Sequence, residues 1–221
     1  VAAEFGDAAE LLPEFDAIVV SPAGGAPLAT AIVFHGNAGL NVHRAPLALE
    51  LAARGLRVVL AEYPGYGARP GSPSERSIVD DALALYADVA RRHPREPIVL
   101  VGESLGAGVA AQVATAPGLA PPASRLVLLT PFVGLPDTAA RVYPFLPVRA
   151  LLRDRFDTGA ALPAFDGPVT ILVAGQDEVL GPEPARRLAS LPRPRGTTEL
   201  VELERAGHND WWWHVRVRRV P

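Results

Sequence analysis

Val99-Leu100-Val101-Gly102-Glu103-Ser104-Leu105-Gly106-Ala107-Gly108 is the stretch from which the fold is read. An apolar, β-branched run ends in Gly-x-Ser-x-Gly, and a segment rich in Ala and Gly follows. The run 97–101 has the composition of a strand buried on both faces. Residues 107–114 have the small side chains of a helix that packs close to a sheet. The backbone between them must turn sharply, and Gly102 and Gly106 carry no Cβ to clash there. Ser104 is then expected at the apex, its hydroxyl exposed at the carboxyl end of the strand. Other glycine turns after a strand do not fit. A Walker loop needs Gly-Lys-Ser/Thr, and the chain has no lysine. A dinucleotide fingerprint needs Gly-x-Gly-x-x-Gly, whereas the glycines here are Gly102, Gly106 and Gly108.

Working outward, strands and helices alternate. Apolar runs at 17–20, 29–34, 58–61, 126–129, 169–173 and 199–203 read as strands. Residues 44–54 suit an amphipathic helix closed by Gly55. Ser72-Pro73-Ser74-Glu75 predicts a helix start with Ser72 as cap, Pro73 in the first turn and Glu75 closing a capping box. That helix is expected to reach about Arg92, with Ile78, Val79, Ala82, Leu85, Tyr86 and Val89 along one stripe. Another helix is expected at 184–191. The alternation implies an α/β fold, a mostly parallel, doubly wound sheet with helices on both faces. Residues 131–166 break the rhythm with prolines and apolar side chains, among them Phe132, Leu135, Tyr143, Phe145 and Phe156. They read as a short helical cap after the sixth strand, inserted in a single domain spanning 1–221. Residues 1–16 predict no element.

Composition narrows the chemistry. The 221 residues carry a net charge of -3, which argues against a nucleic-acid partner. With no cysteine there is no thiolate nucleophile or cysteine-bound metal. With no lysine there is no Schiff base. No His-Glu-x-x-His or related spacing announces a metal site, so neither metal nor cofactor is expected. No apolar run reaches the ~18–20 residues of a membrane span. The expected location is the cytoplasm, with an upstream leader or anchor left open.

A serine hydroxyl needs a base, and the base needs a third group to orient it. Parallel sheets offer functional groups at strand carboxyl ends. Asp177 follows the strand at 169–173, and His208 follows the last strand, giving the order Ser104, Asp177, His208. Glu178 and Asp137 are rival acids. His35, His43, His93 and His214 are rival bases, His35 being better suited to shaping its own loop. A developing oxyanion needs two backbone donors. Leu105 N–H, directly after the serine, is one. Asn37 N–H in His35-Gly36-Asn37-Ala38 is the other, with Ala38 as substitute. Glu103 could tune His208 or bind a cation, or be structural. Phe132 and Trp211 are candidate substrate contacts.

Four stretches together resemble the α/β-hydrolase superfamily: His35-Gly36-Asn37-Ala38-Gly39, Tyr63-Pro64-Gly65-Tyr66-Gly67 with Pro73-Ser74-Glu75, Gly102-Glu103-Ser104-Leu105-Gly106, and Gly207-His208-Asn209-Asp210. They are most similar to the small single-domain serine hydrolases that include eukaryotic protein depalmitoylases. The resemblance implies a cofactor-independent esterase or thioesterase with Ser104 as nucleophile, Asp177 as orienting acid and His208 as base. Its substrate would be a small ester or acyl compound. A peptidase or amidase, an acyltransferase, and a non-catalytic binding protein are the alternatives on the same fold. Two departures from the pattern stand out. An extra glycine precedes Pro182 in the Asp177 loop, and the Trp211-Trp212-Trp213 tail does not read as the usual final helix.

Overall fold

The computed structural model describes Phe5, residues 9–142 and residues 144–217. Tyr143, Arg218 and Arg219 lie outside the described residues. Eight strands form one sheet in the order β1-β2-β4-β3-β5-β6-β7-β8. They are β1 (Ala9–Leu12), β2 (Ala17–Val20), β3 (Ala29–Phe34), β4 (Leu56–Leu60), β5 (Ile98–Glu103), β6 (Arg125–Leu129), β7 (Val169–Ala174) and β8 (Thr198–Leu203). β1 and β2 form an antiparallel edge, and β4 through β8 run parallel with β3. The central strands are buried on both faces, with Ile32, Phe34, Leu100, Leu126 and Leu128 at 0 % exposure. A parallel sheet covered by helices on both sides requires this composition.

Helices cover both faces: α1 (Ala45–Ala53), α2 (Glu75–Arg92), α3 (Leu105–Ala114), α7 (Glu183–Ala189) and α8 (Trp211–Val217). Between β6 and β7 the chain makes the short helices α4 (Leu135–Val142), α5 (Val148–Leu151) and α6 (Thr158–Ala161). None of the helices among the described residues is long and apolar enough to cross a membrane.

Three expectations are corrected. Residues 9–12 form a strand where none was expected. Leu11 and Leu12 are too short an apolar signal to stand alone, and pairing with the buried β2 supplies the missing stabilisation. The cap of α2 is Ser74, not Ser72. Ser74 Oγ accepts from Ser77 N at 3.1 Å, and Ser77 Oγ accepts from Ser74 N at 3.0 Å. Glu75 is therefore the first helical residue, and Pro73 lies before the helix. The tryptophan tail does fold as a helix, because Trp211 is 4 % exposed and anchors α8 on the sheet core. Its apolar density hides the helical period.

Candidate functional site

The turn after β5 is enforced from both sides. A Cβ on Gly102 would fall inside contact distance of the Gly106 carbonyl, and one on Gly106 would strike the Phe34 carbonyl. Close approach of β3, β5 and α3 thus demands glycine at both positions. Ser104 sits between them at φ 51° and ψ -111°, a left-handed conformation that costs a non-glycine residue of order 1–3 kcal/mol. Its N–H donates to Leu129 O at 3.0 Å, which ties the strained residue to β6.

Ser104 Oγ lies 3.2 Å from His208 Nε2. His208 Nδ1 lies 2.7 Å from Asp177 Oδ2. The other carboxylate oxygen, Asp177 Oδ1, accepts from Leu180 N at 2.6 Å and Val179 N at 2.9 Å. Burial works against the Asp177 charge. The His208 hydrogen bond and the two loop N–H groups outweigh it and hold this carboxyl below its ordinary range. A carboxylate on Nδ1 means that Nδ1 carries the proton, so Nε2 presents its lone pair to the serine.

The rival residues have other partners. Glu178 Oε2 accepts from His208 N at 3.1 Å and supports the histidine loop from its backbone. Asp137 pairs with Arg149 at 2.9 Å on the exposed insertion. His93 and His214 sit 3.7 Å from Glu96 and Asp210 respectively. His35 is 1 % exposed and hydrogen-bonds Gly36 O and Glu62, each at 2.8 Å.

The loop after β3 is built as a turn, Gly39 N donating to Gly36 O at 3.0 Å, with Asn37 and Ala38 at its tip. Tyr63 Oη donates to His35 O at 2.8 Å, and Tyr66 Oη donates to Asn37 Oδ1 at 2.7 Å. Opposite this loop, Leu105 opens α3, where a first-turn N–H has no partner within the helix.

Two clefts meet at Ser104 and Asn37. One, of about 370 Å³, is mainly apolar and is lined by Phe132, Leu135, Phe156 and Leu180 beneath the insertion. The other, of about 230 Å³, is lined by His43, Arg44, Glu103, Asn209, Trp211 and Trp212. Phe132 and Trp211 are thus placed in different clefts. Glu103 is 5 % exposed and clasped by Arg44, whose Nε and Nη2 donate to its two oxygens at 2.5 and 2.7 Å. Sequence reasoning missed Arg44 and weighed His43 only as a rival base, because no motif marks residues brought to the site by a loop's path. Tyr66 could have been found from its Tyr-Pro-Gly-Tyr-Gly setting.

The comparisons with known proteins agree with this architecture. Residues 25–157 match the family model described as Hydrolase_4, serine aminopeptidase S33. An uncharacterized protein of Mycobacterium tuberculosis is 37 % identical over 182 residues, covering 81 % of this chain and 62 % of its own length. The lysophosphatidylserine lipase ABHD12 of Danio rerio is 37 % identical over 124 residues, covering 52 % of this chain and 32 % of its own. The chain thus spans less than two thirds of either relative. An esterase of Pyrococcus furiosus superposes with a TM-score of 0.76 at 16 % identity, over 98 % of this chain and 93 % of its own, which speaks to the fold alone. The sheet order, the glycine-bounded turn at Ser104 and the matched family model place the chain in the serine aminopeptidase S33 family of the α/β-hydrolase superfamily.

Proposed function

We propose that the chain is a serine hydrolase that cleaves carboxylic esters or thioesters through an acyl-enzyme. The observation that carries this reading is the unbroken hydrogen-bonded line from Asp177 through His208 to Ser104. His208 Nε2 takes the proton of Ser104 as Oγ attacks the carbonyl carbon, and Asp177 holds the ring in the required tautomer. The N–H groups of Leu105 and Asn37 receive the developing oxyanion, each donor worth roughly 3–4 kcal/mol in the transition state. The tetrahedral intermediate collapses, the bond to the leaving oxygen or sulfur breaks, and His208 delivers its proton there. Water then attacks the acyl-enzyme, His208 again acting as base, and the acid is released with Ser104 regenerated.

The apolar cleft under residues 131–166 takes the acyl chain, and this insertion acts as a cap on a single domain. The similarity to a lysophosphatidylserine lipase supports an acyl ester as substrate. The family description favours a second reading, aminopeptidase activity. That activity needs a carboxylate free to hold a peptide amino group. Glu103, the carboxylate beside the serine, has both oxygens on Arg44, so the ester reading is preferred.

The test is fluorophosphonate labelling of wild type and Ser104→Ala, with p-nitrophenyl ester hydrolysis from acetate to palmitate. Labelling confined to wild type, with activity lower by roughly 10⁴–10⁶ in the variant, is the expected result. A folded wild type that is neither labelled nor active overturns the proposal.

A further inference from the structure

The second cleft is rich in hydrogen-bond donors. Leu40 N donates to His43 Nδ1 at 3.2 Å, which leaves Nε2 of that ring as the donor, and His43 lines the cleft. Arg44 uses Nε and Nη2 on Glu103, and its Nη1 has no hydrogen-bond partner among the described residues. The exposed amide of Asn209 adds further donor capacity. The carboxylate of the cleft, Glu103, is covered by Arg44 and almost wholly buried. The cleft therefore offers donors and a cation with one amino group unpaired among the described residues, against the walls of Trp211 and Trp212.

Position says which half of a substrate meets these donors. The two clefts meet at Ser104, and this one is walled by Asn209, Trp211 and Trp212, from the segment that follows His208 in the chain. With the acyl chain in the apolar cleft, the alcohol portion on the other side of the scissile bond is left to this one. We propose that the preferred substrates are esters whose alcohol portion carries an anionic group, a phosphate or a carboxylate, docked on Arg44 with His43 and Asn209. Glu103 sets the guanidinium plane and keeps the cleft from becoming a general anion trap. This inference rests on the hydrolase reading above.

The experiment compares kcat/KM for matched ester pairs. A short-chain 1-acylglycerol against its 3-phosphate forms the phosphate arm, and 3-(butyryloxy)benzoate against 3-(butyryloxy)benzamide forms the carboxylate arm. In wild type the anionic member is expected to be faster by about tenfold or more in at least one arm, with the advantage shrinking as salt rises. In Arg44→Gln the ratio is expected to fall to about one. Because that variant leaves Glu103 buried without its partner, Arg44→Gln combined with Glu103→Gln is measured beside it, with the same ratio expected. A wild-type ratio near one in both arms, or a ratio that survives in either folded variant, overturns the inference while leaving the hydrolase intact. If wild type cleaves none of the four esters and takes no fluorophosphonate label, both readings fall together.

Discussion

His35 Nε2 lies 2.8 Å from Glu62 Oε1, at the carboxyl ends of the neighbouring strands β3 and β4, and both residues are buried. The pair sits under the loop that carries Asn37. Its ring also bonds Gly36 O, and Glu62 also accepts from Asn41 N and Tyr63 N. Disrupting a buried hydrogen-bond partner so that a polar group is left unsatisfied typically costs about 1–3 kcal/mol. Glu62→Gln is therefore expected to lower unfolding free energy by about that amount, read by urea denaturation. A loosened donor at Asn37 is expected to lower kcat more than it changes KM. An unchanged urea midpoint would show that the pair contributes nothing to holding the loop.

Asp177→Asn tests the orienting role separately from packing. The amide nearly matches the carboxylate in shape, so the fold is expected to survive. Its NH2 group can face Nδ1, which favours the tautomer with the proton on Nε2 and blocks the base. A fall in kcat of about 10³–10⁴ is expected for ester hydrolysis. Retention of more than a tenth of wild-type kcat would remove Asp177 from the proposed mechanism.

Acid sensitivity follows from the same carboxylates. Burial disfavours the charge on Asp177 and Glu62, but hydrogen bonds to His208 and His35 and to backbone N–H groups more than offset it, so both folded pKa values are lowered. Groups depressed in the folded state contribute stability that is fully present above their unfolded values, near ~4. That stability is lost as pH falls through the folded values. Urea midpoints are therefore expected to be insensitive to these two groups between about pH 6 and 7 and to drop below about pH 4. In Asp177→Asn and Glu62→Gln the acid drop is expected to be shallower, each variant having lost one titrating group. An equally steep drop in both variants would assign acid unfolding to other residues.

Ser74→Ala and Ser72→Ala separate two accounts of how α2 begins. Reading Ser-Pro-Ser-Glu by cap statistics favours Ser72, because Pro73 suits a first turn and Glu75 stands three residues on. The folded chain instead uses Ser74 with Ser77. Ser74→Ala is expected to cost about 1 kcal/mol, and Ser72→Ala a few tenths at most. Equal losses would restore the earlier boundary.

The strands and the order Ser104, Asp177, His208 were legible because each rests on local chemistry: buried β-branched runs, a glycine-bounded turn, and polar residues just past strand ends. What stayed hidden is non-local. β1 is a strand only because β2 lies beside it. Arg44 reaches Glu103 across 59 positions of sequence, and no periodicity encodes that approach. The role of Glu75 was misread for the same reason, since its partners lie some 80 residues away.

Glu75 joins the insertion to the body of the fold. Its carboxylate accepts from Arg155 N at 2.6 Å, Phe156 N at 2.8 Å and Gln112 Nε2 at 2.8 Å. Phe156 has φ 38°, so this stretch is held in a conformation that it would not adopt freely. Phe156 also packs over Gly108, where a Cβ would crowd it, and lines the apolar cleft. Glu75→Ala leaves two backbone N–H groups without their acceptor, at about 1–3 kcal/mol for a group that stays buried. The expected outcome is faster tryptic cleavage at Arg153 and Arg155 under native conditions, with a rise in KM for longer acyl chains relative to acetate. Glu75→Gln keeps an acceptor oxygen and is expected to recover part of the protection. If cleavage at 153–155 is as slow in Glu75→Ala as in wild type, the insertion is held by its apolar contacts, and the carboxylate is incidental to it.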